Sequence, residues 1–193
     1  MLSPKRQLKI GTLKVNLNGY KLGERFLKII FDNALRLKVD EIYVTIFPRT
    51  VEQQRLIRLL EDFGFTRHGV KKNAFGDEDV YVRDMAPAFD AANPRLTFPY
   101  ISRSARAFLC PIYPDYHTTL LPDSILRKKS PANFVEQEPH RNAIRKVYVS
   151  RSIFRALMPG DVIVFYRTGG YYQSVVTTLG IATFSHPKVM RQR

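Results

Sequence analysis

The sequence predicts an α/β unit followed by a mainly β unit. Three observations carry this reading. Two windows with helical spacing of apolar residues alternate with short β-rich runs before residue 85. Short β-rich runs dominate after residue 100. Between them, "MAPAFDAANPRLTFP" (85–99) carries three prolines and no sustained periodicity. The expected boundaries are a first unit at 1–86, a linker at 87–99 and a second unit at 100–193.

In the first unit, "LKIGTLKVN" alternates as a strand from about Leu8 to Val15. Leu22, Phe26, Leu27, Ile30, Phe31, Ala34 and Leu37 recur three and four apart, the apolar face of an amphipathic helix. "EIYVTIF" (41–47) is apolar on both faces, as a central strand requires, and Pro48 ends it. "VEQQRLIRLLEDF" (51–63) returns to helical spacing, with Gly64 as its stop. Strands follow near 65–70 and 80–85, with "KKNAFGDED" as the turn between them. Asp77, Glu78 and Asp79 in that turn are a candidate base or, more simply, solvated hairpin residues.

In the second unit, strands are expected at "ARAFLCPIY" (105–113), "RKVYVS" (145–150), "DVIVFYR" (161–167) and "SVVTTLGIATF" (174–184). "SRSIFRAL" (150–157) reads as a short helix capped by Ser150. "MPGD" and "TGGYY" are turns. Several short strands with few helices predict a small barrel or a strongly bent sheet.

The formal charge is +14, of which +5 lies up to Met85 and +9 beyond it. Such an excess favours a polyanionic partner: nucleic acid, a phosphate-rich cofactor or an anionic surface. Cys110 is the one cysteine, so no disulfide framework or cysteine-rich metal site forms within a chain. No apolar run is long enough to span a bilayer and no signal-peptide pattern opens the chain, so a cytoplasmic location without membrane is expected.

The stretch "NGYKLG" joins the first strand to the first helix. Helix N-termini present unpaired N–H groups and about half a positive charge, and glycines let a phosphate approach the backbone. Asn18, Gly19, Tyr20, Lys21, Leu22 and Gly23 are therefore the candidate cofactor-binding residues, with the N–H groups of Gly19, Lys21, Leu22 and Gly23 as donors. Plain helix capping is the other reading of the same residues.

The order strand, "NGYKLG", helix, "DEIYVTIF", helix, "FGF", hairpin resembles the second half of the GCN5-related N-acetyltransferase (GNAT) fold, over roughly residues 8 to 85. The resemblance implies that the turn holds the pyrophosphate of acetyl-CoA and that the reaction is acetyl transfer to an amine. The family's turn has the form Arg/Gln-x-x-Gly-x-Gly/Ala. Here Asn18 and Lys21 stand at the first and fourth positions, and Gly23 matches the last. Many members carry a general-acid tyrosine where this chain has Leu60. Tyr43 and Tyr81 lie on neighbouring strands outside that motif, so no catalytic residue is assigned. The resemblance also implies that most of the acceptor-binding half of the domain is missing. A homo-oligomer completing the sheet along the strand at 8–15 is one way to supply it.

"LMPGDVIVFYRTGG…SVVTTLGIATF" resembles the PUA-like superfamily, which includes the ASCH and EVE domains, over about residues 144 to 184. That implies a small barrel, here lacking its last strands, with RNA or DNA as partner. Arg145, Lys146, Arg151, Arg155 and Arg167 are the candidate phosphate contacts. Tyr148, Tyr166, Tyr171 and Tyr172 are the candidate stacking faces; packing into the barrel is the alternative for the tyrosines. In "CPIYPDYHTTLLPDS" (110–124), Cys110, Asp115, His117 and Asp123 have the chemistry of a nucleophile and base, without the spacing of any known motif. No metal site is expected. Two functions remain from the sequence: an acetyl-CoA-dependent N-acetyltransferase with an attached nucleic-acid-binding unit, or a non-catalytic nucleic-acid-binding module on a degenerate acyltransferase scaffold. An inactive fragment of a longer protein is the third expectation.

Overall fold

A computed structural model describes residues 5–13, 19, 21–122, 124, 138–149, 156–169 and 175–185. The chain divides into two units: residues 1–89 with 95–100, and residues 90–94 with 101–193.

The first unit is α/β. Its elements are β1 (Gln7–Ile10), α1 (Leu22–Leu37), β2 (Glu41–Ile46), α2 (Val51–Asp62), β3 (Thr66–Asn73), β4 (Gly76–Asp84) and the short α3 (Pro94–Thr97). The sheet order is β1-β2-β4-β3. β1 runs parallel to β2, as the α1 crossover demands, and the β3–β4 hairpin returns so that β4 pairs antiparallel with β2. Register places Leu8, Ile42 and Arg83 side by side, and likewise Ile10, Val44 and Tyr81. Ile10, Ile42, Val44, Ile46 and Tyr81 are buried with Leu27, Phe31, Ile57 and Leu60, which are the inward positions of the two helices. On α2 the expected face is inward, whereas on α1 Leu27, Phe31 and Ala34 are buried and Phe26 and Leu37 of the expected face are 43% and 41% exposed. Thr50 caps α2 with a reciprocal box: its hydroxyl accepts from the Gln53 amide, and the Gln53 side chain accepts from the Thr50 amide.

The expected linker is not a plain connector. Phe98 inserts edge-on against Phe31 and Phe63, with ring centroids 5.5 and 6.0 Å apart. Arg95 pairs with Asp62 at 2.6 Å. The fully buried Arg83 donates from Nε to the Phe63 carbonyl at 2.9 Å and from Nη2 to the Phe98 carbonyl at 3.1 Å, and its Nη1 donates to the Asp84 carbonyl. Apolar and carbonyl partners for this segment are scattered over α1, α2 and β4, so its composition alone reads as linker. The expected nine-residue turn is also shorter. β3 runs through Lys72 to Asn73 and β4 starts at Gly76, so Asp77, Glu78 and Asp79 are strand residues.

The second unit contains β5 (Ala107–Ile112), α4 (Pro114–Leu120), α5 (Pro139–Asn142), β6 (Val162–Arg167) and β7 (Val175–Ile181). Its sheet has the order β5-β6-β7, with β5 parallel and β7 antiparallel to β6. Ile112, Leu121 and Phe165 form its core, with Cys110, Leu120 and Ile163 packed against them. Among the described residues this is an open three-stranded sheet and not the closed barrel expected. Residues 146–149 of the expected fourth strand join no ladder. Residues 114–120, given no element by the sequence, form α4, with Pro114 at its first position. The expected helix at 150–157 lies mostly outside the described residues.

Candidate functional site

Because β1 and β2 are parallel, their carboxyl ends lie at one edge of the first sheet. The segment after β1 leads from that edge into α1, and the segment after β2 leads from it into α2. The β3–β4 turn reaches the same edge, since Asp79 stands beside Ile46. β1 stops pairing after Ile10, opposite Val44, while β2 continues to Ile46. The carboxyl edge of parallel strands, with helix N-termini turned toward it, is the ordinary location for a phosphate-bearing ligand.

Of the six turn residues, Asn18 and Tyr20 lie outside the described residues. Gly19 has φ of 88°, a left-handed conformation that suits glycine, and Lys21 adopts left-handed φ of 57° as the N-cap of α1. Lysine offers no side-chain acceptor to the helix amides. Glu24 instead sits in the first turn, buried, with its carboxylate 3.2 Å from the Lys21 ammonium. A carboxylate already occupies the place where an anion would be favoured. Gly23 has a packing role too: a Cβ there would lie 2.7 Å from the Cδ2 of Leu59, so glycine lets α1 and α2 approach. Leu22 starts α1 and is half-buried.

Leu60, which the GNAT resemblance would set at the tyrosine position, is fully buried in the core. Tyr81 is buried and its hydroxyl is pushed up from the ordinary range, first by burial. Asp79 pairs with Arg67 at 2.6 Å across the hairpin.

A second feature at this edge has no counterpart in the sequence reading. Arg49, Thr50, Val51, Gln54, Arg55 and Arg58 line an open cleft of about 410 Å³ on α2. Residues 51, 54, 55 and 58 share one helical face by their spacing, which a search for apolar periodicity passes over as solvated surface.

In the second unit, the candidate nucleic-acid residues separate. Arg145 is exposed. Lys146 is not free for phosphate: its ammonium donates to the carbonyls of His140 and Arg141, both at 2.8 Å, closing the end of α5. Tyr148 is 37% exposed, with part of its ring committed to packing. Its ring packs edge-on against Phe165 at 5.5 Å and its hydroxyl donates to the Pro111 carbonyl at 3.3 Å. Burial, then the Cys110 thiol, pushes that hydroxyl up to about 12. Tyr166 and Arg167 are half-buried on β6. Arg151, Arg155, Tyr171 and Tyr172 lie outside the described residues.

The nucleophile reading of "CPIYPDYH" also comes apart. Burial pushes the Cys110 thiol up, against a smaller lowering by the Tyr148 hydrogen bond, so it is held as thiol. His117 is fully buried on α4 while Asp115, two residues earlier, is exposed; positions two apart on a helix do not face each other. Asp123 lies outside the described residues. Among the described residues, no group of three or more His, Cys, Asp or Glu is placed to hold a metal ion, and no helix is long and apolar enough to cross a membrane.

Comparison with protein-family models, with curated proteins and with solved structures finds no match.

Proposed function

We propose that the first unit binds an acyl-CoA-type ligand at the carboxyl edge of β1 and β2. The observation that carries this is a parallel strand pair in which β1 stops pairing at Ile10 while β2 runs on to Ile46, with a glycine before the N-terminus of the helix that follows. A pantetheine-like chain would lie where β1 leaves β2, and the pyrophosphate would meet the amides of Lys21, Leu22 and Gly23. Acetyl transfer to an amine is the reaction that the GNAT resemblance attaches to such a site, and a nucleic-acid-associated acceptor agrees with the +14 charge. A carbonyl-polarising N–H and a base would both be needed, and no described side chain takes the base or acid role.

The test is a calorimetric titration of acetyl-CoA into the full chain, beside Glu24→Gln. Gly23→Val is a poor control, because a branched side chain would strike Leu59. Removing the Glu24 charge from the first turn is expected to tighten cofactor binding about two- to fivefold, the effect of about 0.3–1 kcal/mol for one charge at a helix end. Absence of binding at millimolar acetyl-CoA ends the acyltransferase reading. Saturable binding indifferent to Glu24→Gln moves the ligand away from α1.

A second reading, the non-catalytic nucleic-acid-binding module, is favoured by the burial of Leu60 and the occupation of the α1 N-terminus by Glu24. It is the reading that remains if acetyl-CoA fails to bind.

A further inference from the structure

Four described arginines pair with side-chain carboxylates: Arg67 with Asp79, Arg95 with Asp62, Arg106 with Asp161 and Arg141 with Glu138. Arg49, Arg55 and Arg58 differ. None has a carboxylate within 4 Å among the described residues, and Arg55 and Arg58 are exposed on the outer face of α2. Three carboxylates lie on the same helix, Glu52, Glu61 and Asp62; Glu61 follows Arg58 by three residues and is exposed, with no ion pair to it within 4 Å among the described residues. Asp62 is taken by Arg95. Glu52 is held below the usual carboxylate range first by its own backbone amide and then by the Thr50 hydroxyl, with Arg55 contributing least. The lining of the cleft itself holds three arginines and no carboxylate, which makes its local field positive.

Arg49 is fixed in place. Its guanidinium lies 4.7 Å from the centre of the Phe47 ring and its Nη2 donates to the Phe75 carbonyl at 3.0 Å. That approach depends on Gly76, where φ is 121° and a Cβ would lie 2.0 Å from Nη2. The contact also holds the hairpin tip against the arginine cleft. Phe75, at that tip, is 84% exposed, more than any other large hydrophobic described. The backbone amides at this end of α2 are not the attraction, because the Gln53 side chain already accepts from the amides of Arg49 and Thr50.

We propose that the outer face of α2 and the tip of the β3–β4 hairpin form a docking surface for single-stranded nucleic acid. Arg55, Arg58 and Arg49 hold successive phosphates, and one unstacked base lies on Phe75. Unpaired cations favour a polyanion. An exposed aromatic ring beside them selects one with accessible bases, since stacking on such a ring is the common mode for single strands. A membrane is disfavoured because the surface offers only Phe75 and Val51 as large apolar side chains, too few for the continuous apolar face that inserts into a bilayer interface. This surface does not rest on the acyl-CoA reading.

The test is fluorescence anisotropy of the full chain with a labelled 12-nucleotide mixed-sequence oligomer, as RNA and as DNA, between 50 and 200 mM salt. The double variant Arg55→Ala/Arg58→Ala removes two phosphate contacts. At about 0.7 of salt slope per contact on a single strand, the slope should flatten by about 1.4, which at 0.1 M salt is about 25-fold weaker binding. Phe75→Ala should weaken binding about fivefold or more while leaving the salt slope unchanged. All three side chains point to solvent, and circular dichroism checks that the variants remain folded. Absence of binding at 50 mM salt overturns the proposal. So does a double variant with the parent's affinity and slope, which would place the phosphates elsewhere on the chain. Binding to vesicles containing phosphatidylserine that is lost in the double variant, with no binding to either oligomer, would make the face a membrane contact instead.

Discussion

Replacing Arg83 with methionine separates two opposed effects in the core of the first unit. Arg83 is 1% exposed, lies 5.8 Å from the centre of the Phe31 ring and, among the described residues, makes no ion pair within 4 Å, though the charge of neighbouring Asp84 acts on it. Burial holds its pKa below the ordinary arginine value, yet a guanidinium stays charged in proteins. Three backbone carbonyls carry that charge, and those of Phe63 and Phe98 lie in separate segments. Methionine keeps most of the apolar stem. It leaves the Phe63 and Phe98 carbonyls without this donor, at about 1–3 kcal/mol each. Part of that is returned, because a buried charge no longer has to be desolvated. The net expectation is a loss of about 2–4 kcal/mol. Urea unfolding followed by circular dichroism at 222 nm is the assay, since α1 and α2 hold 16 and 12 helical residues and the chain has no tryptophan. With a slope of about 2 kcal/mol per molar urea, the midpoint should fall by about 1–2 M. A variant within about 0.5 kcal/mol of the parent, or more stable, would refute the reasoning by showing that desolvation outweighs the three hydrogen bonds.

Three further outcomes are expected. Gly64→Ala should destabilise the first unit by about 2 kcal/mol or more in the same assay, because φ there is 78° and the new Cβ would stand 2.3 Å from the Leu96 carbonyl oxygen; an unchanged midpoint would show that the backbone yields easily. Asp161 accepts from Arg106 at 2.9 and 2.6 Å and from the Met158 amide at 2.7 Å, and the Arg106 hydrogen bonds, foremost, hold its carboxyl below the ordinary 3.8. A carboxyl depressed by folding adds stability above its unfolded value, and that stability fades as pH falls through the lower folded value; acid unfolding of the chain should therefore begin at higher pH in a destabilised Asp161→Asn variant, and identical acid titrations would remove the pair from the account. Iodoacetamide should alkylate Cys110 at pH 8 more slowly than a free cysteine, given the raised thiol; faster alkylation would reopen a nucleophilic role.

How far the fold was legible follows from the kind of signal. α1 spans Leu22–Leu37, as the apolar spacing predicted, because one stripe of one helix meets one core. β2 was legible because a strand with apolar residues on both faces belongs in mid-sheet. β1 ends at Ile10 and not near Val15, since alternation shows that a segment suits a strand but not where its neighbour stops pairing. α4 has no apolar signature in the sequence, because seven residues give too short a window for helical spacing; its start is marked only by Pro114 at its first position. The candidate sites were less legible than the elements. Lys146 and Tyr148 have the residue types that bind nucleic acid, yet they are tied to carbonyls of α5 and β5. The Arg49–Arg55–Arg58 cleft was overlooked because charged residues on the outer face of a helix usually mean only solvation.

By itself the sequence determined the α/β character of the first unit, the break in composition near 85–99, the excess of positive charge and the start of α1 at Leu22. Those properties reside in local periodicity, glycine placement and charge, which depend on neighbours along the chain. Only the tertiary structure decided that Glu24 fills the first turn of α1, that Gly23 is pressed against Leu59, that Arg83 clasps Phe63 and Phe98, and that Phe75 and Arg49 meet at a hairpin tip. Each of those depends on which distant residue the fold brings within a few ångströms, and hydrogen bonds and steric contacts act only at that range.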